Sequence, residues 1–136
     1  MIETPDQLIT ELINDPNFMA FIGTYNFSDG TTAESIAVLG SAEFIDGLDN
    51  VTGLECIISR IPTTTSTPIY SGCVPSHKAW TIHLIQYETG NAGLAAADHL
   101  VQRYPGCTYS NLGAESMSEI AGVAQIAVTI PANVNL

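Results

Sequence analysis

The stretch KAWTIHLIQY, residues 78–87, followed shortly by NAGLAAADHLVQRY, residues 91–104, decides the fold of this chain. β-Branched and aromatic residues dominate the first segment and nothing interrupts it, which predicts a strand at the centre of a sheet. The second segment carries an apolar stripe at helical spacing and ends at a Pro-Gly pair, which predicts a helix. The stripe consists of Leu94, Ala97, Leu100, Val101 and Tyr104.

A first helix is predicted near the start of the chain. Thr4 is a suitable N-cap, Pro5 fits the first helical position, and Gln7 completes a capping-box pattern. Apolar residues recur at helical spacing over the next turns, and Asp15-Pro16 ends the run because a residue before proline disfavours helical dihedrals.

Between these helices the pattern is mainly that of strands. Residues 21–38 contain two β-rich stretches around Asp29-Gly30, a pair typical of tight hairpins, and residues 54–61 (LECIISRI) predict a further strand. Residues 40–53, rich in glycine and Asp or Asn, are expected to form a long surface loop. The proline-flanked segment 62–68 is expected to be an extended loop, because its prolines cannot sustain a strand ladder.

After the second helix, residues 107–109 and 122–130 predict a short strand and a long closing strand. The expected fold class is therefore α+β, a largely antiparallel sheet with two main helices packed on it, in the order α-β-β-β-β-α-β-β. At 136 residues the chain is expected to form a single domain, residues 1–136.

Charge excludes one class of function and points to another. Fourteen acidic residues against three Lys and Arg residues give a net charge of −11, which argues against a site that neutralises phosphates. Charged residues make up only 12% of the chain, whereas globular domains average about 25%. A weakly charged, apolar-rich chain is expected to bury part of its surface against partners, so we expect an oligomer.

The sequence also indicates where the protein assembles. No uninterrupted apolar run approaches the roughly 18 residues that a transmembrane helix requires, so no membrane association is expected. The N-terminus lacks a basic region followed by an apolar stretch, so no secretory signal is expected and assembly in the cytosol is implied.

No residue pattern predicts a catalytic, cofactor or metal site. His77, His83 and His99 lack metal-ligand spacing, and Asp98 and His99 are consecutive helical residues that point about 100° apart. His83 is expected to be structural, and nucleophile-elbow, P-loop and dinucleotide motifs are missing. The three cysteines, Cys56, Cys73 and Cys107, are widely spaced and are expected to be buried or incidental thiols.

Aromatic residues are enriched at interface hot spots, and they supply the candidate contact residues of an assembly. The residues expected to contact partners are Tyr25, Phe27, Phe44 and Tyr70.

Over nearly its whole length the chain resembles the tail-terminator (tail-completion) proteins of long-tailed bacteriophages, including related proteins of cyanobacterial phages or prophages. The resemblance lies in the order of elements, and six segments carry it. They are TPDQLITELI (4–13), YNFSDGTTAESIAV (25–38), VTGLECIISRIP (51–62), AWTIHLIQYE (79–88), GNAGLAAADHLVQRYP (90–105) and GVAQIAVTIP (122–131).

This resemblance implies a structural virion protein rather than an enzyme. Such proteins form a homo-oligomeric ring, usually of six subunits, that caps the tail tube, ends its polymerisation and docks to the head connector or stopper protein. DNA would pass through the lumen without specific binding, and an acidic chain suits a channel wall that does not hold phosphates. The expected location is the tail or neck of the virion, after assembly in the host cytoplasm.

Two other readings remain open. One is another phage neck or head-completion subunit, such as a stopper or adaptor. The other belongs to a different class, a small cytosolic enzyme or ligand-binding domain that uses His83 or His99, and it requires a concave pocket.

Overall fold

The computed structural model describes residues 2–39, 47–60, 62–66, 76–88, 90–111 and 124–132. Within this part there are three helices, α1 (Pro5–Ile13), α2 (Pro16–Met19) and α3 (Ala92–Arg103). The same residues form nine strands, β1 (Thr24–Phe27), β2 (Thr32–Glu34), β3 (Ile36–Val38), β4 (Leu48–Thr52), β5 (Leu54–Ile58), β6 (Thr63–Ser66), β7 (Ser76–Gln86), β8 (Thr108–Asn111) and β9 (Ala124–Pro131).

The predicted α+β class is confirmed, whereas the predicted element order and the count of two helices are not confirmed, since the described residues form three helices and nine strands. The extra helix is α2, which begins at the proline that ends α1. Asp15 caps it, because its Oδ1 accepts hydrogen bonds from the backbone N–H groups of Asn17 (3.1 Å) and Phe18 (3.2 Å). The Asp15-Pro16 pair is therefore both a helix stop and a helix start, since proline suits the first helical position.

The N-cap predicted at Thr4 is confirmed, and the side chain of Gln7 reaches back one residue further than in a capping box, to Glu3. The backbone N–H of Gln7 donates to Thr4 Oγ1 at 3.2 Å, and the Gln7 side chain accepts from the backbone N–H of Glu3 at 2.6 Å. The first bond satisfies one of the donors that the first turn of a helix leaves free, and the second fixes the chain just before the cap.

The main sheet has the strand order β3-β5-β7-β9-β8, and β6 also pairs with β7. The central position predicted for β7 is confirmed. The pair β3–β5 is parallel and the other pairs are antiparallel, so the sheet is mixed rather than uniformly antiparallel.

Two segments expected to be loops contain strands. β4 lies within residues 40–53 and pairs with β1, and β6 lies within residues 62–68 and pairs with β7. Backbone ladders supply stabilisation in both cases. In β4, Val51 and Leu48 also stand opposite Tyr25 and Phe27 of β1. In β6 the paired residues are Thr63 to Ser66, which are β-branched or small, and Pro62 and Pro68 fall outside the ladder.

A second sheet, β2-β1-β4, contains the predicted hairpin across Asp29-Gly30. Gly30 adopts a φ of 87°, which glycine reaches without steric cost. At Ser35 the chain leaves β2 and enters β3, and at Gly53 it leaves β4 and enters β5. The two sheets therefore share continuous stretches of chain.

All three helices pack on one face of the main sheet. Leu8 and Leu12 of α1, Phe18 of α2, and the small side chains of Ala96 and Ala97 on α3 are fully buried. The strands contribute alternate residues to the same core, namely Leu54, Cys56, Ile58, Trp80, Ile82, Leu84, Ile126, Val128 and Ile130. Alternation sends the intervening residues of each strand to the opposite face. No helix among the described residues is long and apolar enough to cross a membrane.

Candidate functional site

The face of the main sheet opposite the helices is the first candidate surface. It presents Thr81, His83 and Ile85 of β7, flanked by Ile57 of β5 and by a further row on β9. The β9 residues of this face are Gln125, Ala127 and Thr129. All seven are partly exposed, whereas their neighbours on the helical face are buried. We call these seven residues the second face.

His83 contacts Gln125 on the neighbouring strand β9. Its Nδ1 lies 2.9 Å from Gln125 Nε2. An amide nitrogen donates, so Nδ1 accepts and the neutral ring carries its proton on Nε2. One ring nitrogen of His83 is thus engaged in a contact within the sheet.

One carboxylate points to the same side of the sheet as the second face, opposite Ile85, but is hidden from solvent. Glu55 follows Leu54 in β5 and is only 8% exposed. The hydroxyl of Tyr87 donates to Glu55 Oε1 at 2.9 Å, and Tyr25 also hydrogen-bonds to this carboxylate. Burial and the Glu55 hydrogen bond raise the pKa of Tyr87 to about 12, and burial and Glu55 likewise raise the pKa of Tyr25 well above its ordinary value. Both phenols therefore stay protonated as donors to Glu55.

The remaining carboxylates of the described residues lie elsewhere. They occupy α1 and the residue before its cap, the second sheet and its hairpin turn, the connection after β7, and α3. Those at least partly exposed are Glu3, Asp6, Glu11, Asp29, Glu34, Asp49, Glu88 and Asp98. Charge is therefore segregated: the helical layer and the second sheet are acidic, and the seven residues of the second face carry no carboxylate.

An ionic cluster on the helical side joins residues that the sequence pattern did not bring together. Asp15 Oδ2 lies 2.7 Å from His99 Nε2 and 2.7 Å from Arg103 Nη1, and Arg103 Nη2 donates to Glu11 Oε2 at 2.9 Å. The helical spacing predicts that Asp98 and His99 do not pair, and the structure agrees. Asp98 accepts a hydrogen bond from the hydroxyl of Tyr109 at 2.8 Å. Nothing in the spacing of residues 15, 99 and 103 indicates this cluster.

The Asp15 carboxyl is ionised at neutral pH. Burial raises its pKa, but hydrogen bonds from His99, from the backbone N–H of Phe18 and from Arg103 outweigh burial. They hold the pKa of Asp15 below its ordinary value of 3.8. The contacts with His99 and Arg103 join α1 and α2 to α3, so the cluster fastens the two N-terminal helices to the third.

A shallow depression of about 500 Å³ lies beside His99. Asn17, Phe21, Asp98 and Gln102 contribute to its lining. These side chains supply hydrogen-bonding groups and one aromatic ring, and the described lining residues include no Ser, Cys or Lys nucleophile. In the described part of the chain, no group of three or more His, Cys, Asp or Glu side chains is arranged to hold a metal ion.

Two of the predicted thiols are described, and both are buried and free. Burial raises the pKa of Cys107 to about 11, and burial raises that of Cys56 well above its usual range. Both thiols are therefore protonated and unreactive at neutral pH. Cys73 lies outside the described residues.

The structure describes two of the four predicted contact residues. Tyr25 is 2% exposed and Phe27 is partly buried, with their ring centroids 6.4 Å apart in a tilted arrangement. Phe44 and Tyr70 lie outside the described residues. The contact role of these aromatic residues stays a prediction, and little of the Tyr25 ring is accessible in the isolated chain.

Comparison of the chain with profiles of protein families, with curated proteins and with solved structures finds no match in any of the three.

Proposed function

We propose that this protein is a structural subunit of a long-tailed bacteriophage, a tail terminator that forms a ring on the finished tail tube. In this role it ends polymerisation of the tube and joins the tail to the head connector or stopper protein. Its working location is the virion neck, and it acts as a scaffold rather than as an enzyme.

The single observation that carries the proposal is the segregation of charge. A chain with a net charge of −11 repels its own copies and other acidic proteins unless the contacting surfaces are free of carboxylates. The second face is such a surface, since its seven residues are partly exposed, carry no carboxylate and mix Ile57, Ile85 and Ala127 with polar residues. The carboxylate that β5 directs to this side of the sheet, Glu55, is only 8% exposed and accepts from Tyr87. Depletion of charge is the compositional mark of an interface core.

The proposal assigns each face a partner. The second face seats on the tail tube, and the acidic helical layer faces the head connector. The chain holds few cations to grip phosphates, and Arg103 is already paired with Asp15 and Glu11, so DNA crosses the lumen without being held. The resemblance of the six quoted sequence segments to tail terminators also supports the proposal.

Tube capping tests the proposal directly. Tail tube protein from the phage or prophage that encodes this chain is polymerised with and without the purified protein, and tube lengths are measured by negative-stain microscopy. The expected result is shorter tubes that carry a ring at one end. Tubes of unchanged length without a ring would refute the assignment, and binding to connector complexes alone would identify a stopper or adaptor.

Thr129 on the second face provides a matched set of variants. Thr129→Asp adds a negative charge to this face and is expected to abolish capping, whereas Thr129→Asn has nearly the same shape without charge and retains capping. Gln102→Asp adds the same charge to the exposed side of α3 and also retains capping. Urea unfolding of all three variants separates a lost interface from a lost fold.

A second candidate function is favoured by one observation, the depression beside His99. In that case the protein is a small ligand-binding domain or enzyme, and His99 contacts the ligand. In that case the wild type does not cap tubes, and His99→Ala loses ligand binding or turnover. Under the terminator proposal both the wild type and His99→Ala cap tubes.

A further inference from the structure

A cavity of about 230 Å³ lies where the start of the chain meets one end of the main sheet. It shares no lining residue with the depression beside His99. The residues before α1, the first half of β7, the residue after β9 and the residue before β6 meet here. The lining residues are Ile2, Glu3, Pro62, Lys78, Trp80 and Ala132. We call this space the Trp80 cavity.

The buried part of this lining is apolar and consists of Ile2, Trp80 and Ala132. Trp80 Nε1 donates to the carbonyl of Ile2 at 2.9 Å, and the backbone N–H of Ile2 donates to the carbonyl of Ala132 at 2.7 Å. The backbone N–H of Ala132 in turn donates to the carbonyl of Lys78 at 2.9 Å. Because these polar groups are bonded to one another, a molecule in the Trp80 cavity meets a mainly apolar surface at its inner end.

The exposed part of the lining carries one charge of each sign. Lys78 and Trp80 point to the same side of the sheet, since they are two residues apart in β7, and Lys78 and Glu3 are both exposed. Among the described residues, neither the Lys78 ammonium nor the Glu3 carboxylate forms an ion pair. The Trp80 cavity therefore offers an ammonium and a carboxylate that are both available to a ligand.

These features select both the charge and the size of a ligand. Lys78 attracts and Glu3 repels an anion, and a cation meets the reverse, so a molecule that carries both charges satisfies both groups. The volume admits roughly eight or nine non-hydrogen atoms, if each takes about the 30 Å³ of a water molecule in the liquid. An apolar body between the two charges matches the surface that Trp80 and Ile2 present.

We propose that the Trp80 cavity binds a free α-amino acid with an aliphatic side chain of about the size of leucine. The ligand carboxylate accepts from the Lys78 ammonium, the ligand ammonium donates to the Glu3 carboxylate, and the aliphatic side chain packs on Trp80 and Ile2. This binding site goes beyond the tail-terminator proposal and does not depend on it.

The fluorescence of Trp80, the single tryptophan, reports binding directly because this residue lines the cavity. The wild-type chain is titrated with L-leucine, with 4-methylpentanoate, which lacks the ammonium, and with 3-methylbutylamine, which lacks the carboxylate. Calorimetric titration of the same pairs measures the dissociation constants independently of the fluorescence. L-Leucine is expected to bind with a Kd of about 1 mM or lower. Each analogue is expected to bind roughly tenfold more weakly or worse, because it loses one charge-assisted hydrogen bond.

Two variants assign the charges of the ligand to their partners. Lys78→Met and Glu3→Gln each remove one charge from an exposed side chain, so the fold is expected to survive, and urea unfolding verifies it. Lys78→Met is expected to abolish the preference for L-leucine over 3-methylbutylamine, and Glu3→Gln is expected to abolish the preference over 4-methylpentanoate. Glu88→Gln removes an exposed carboxylate beyond the other end of β7 and is expected to bind L-leucine as the wild type does.

Three outcomes would overturn the proposal. The first is a wild-type chain that shows neither a fluorescence change nor heat of binding with L-leucine up to about 10 mM. The second is an analogue that binds as tightly as L-leucine, because one of the two charges then plays no part. The third is L-leucine binding that is unchanged in both Lys78→Met and Glu3→Gln, which places the ligand outside the Trp80 cavity. None of these outcomes bears on the tube-capping test.

Discussion

Asp15 and His99 lie 84 residues apart in the chain, yet the Asp15 carboxylate and His99 Nε2 are 2.7 Å apart. The same Asp15 side chain caps α2 through its other oxygen and accepts from Arg103. One buried carboxylate thus sets the start of a helix and fastens it to another helix. A substitution of Asp15 therefore disturbs a helix cap and a contact between helices at once.

Asp15→Asn is expected to lower the free energy of unfolding by roughly 2–3 kcal/mol, because it weakens a helix cap and two charge-assisted hydrogen bonds. Urea denaturation followed by the fluorescence of Trp80, the single tryptophan, measures the change. Asp6→Asn on the exposed side of α1 is the control, with an expected change within about 0.5 kcal/mol. Equal losses in the two variants would show that the cluster adds nothing to stability.

Acid should remove the contribution of Asp15. Its pKa is depressed in the folded state, so its stabilisation is present above the ordinary value of 3.8 and is lost as pH falls through the lower folded value. The difference in unfolding free energy between the wild type and Asp15→Asn is therefore expected to shrink as pH falls below about 4. Denaturation series between pH 5 and pH 2 measure it, and a difference that stays constant or grows over this range contradicts the assignment.

Gly23 is expected to tolerate no side chain. A Cβ at this position would lie 1.9 Å from the carbonyl oxygen of Thr52 and 2.8 Å from the backbone nitrogen of Leu54. Both obstacles are backbone at the junction of the two sheets, so Gly23→Ala is expected to cost at least about 3 kcal/mol. Gly30→Ala is the comparison, since its Cβ meets nothing and only its φ of 87° is unfavourable, at about 1 kcal/mol.

Gln86 organises the turn between β7 and α3. Its Nε2 donates to the carbonyls of Glu88 (2.6 Å) and Gly90 (2.7 Å), and its Oε1 accepts from the backbone N–H of Gly93 (2.9 Å). Gln86→Glu retains the acceptor and loses both donors, so it is expected to destabilise the fold by roughly 2–3 kcal/mol at pH 7. Protonation restores one donor, so part of this loss should be recovered below about pH 5. Gln102→Glu on the exposed side of α3 should show neither effect.

Alkaline pH is expected to weaken the hydrogen bond between Tyr87 and Glu55. The pKa of Tyr87 is raised to about 12 in the folded state, so its stabilisation is complete below the ordinary value of 10.0 and is lost as pH rises through the folded value. Tyr87→Phe removes this dependence along with the bond to Glu55. Unfolding curves between pH 9 and pH 12 should therefore converge for the two proteins, and parallel curves would contradict the assignment.

Local pattern determined much of this protein. The N-cap of α1, the hairpin at Asp29-Gly30, the central strand β7 and the amphipathic helix α3 are all predictable, because each depends on neighbouring residues or on the periodicity of one segment. The acidic balance and the shortage of charge are likewise properties of the sequence, and they led to the expectation of an assembly subunit.

Tertiary structure decided the rest. β4 and β6 are strands because partner backbones lie beside them, and α2 exists because Asp15 caps a turn that proline only permits. The Asp15–His99–Arg103 cluster, the hidden Glu55 and the charge-free second face all depend on which segments pack together. Spacing along the chain does not predict such contacts, because a hydrogen bond between residues 84 positions apart depends on how whole helices and strands pack.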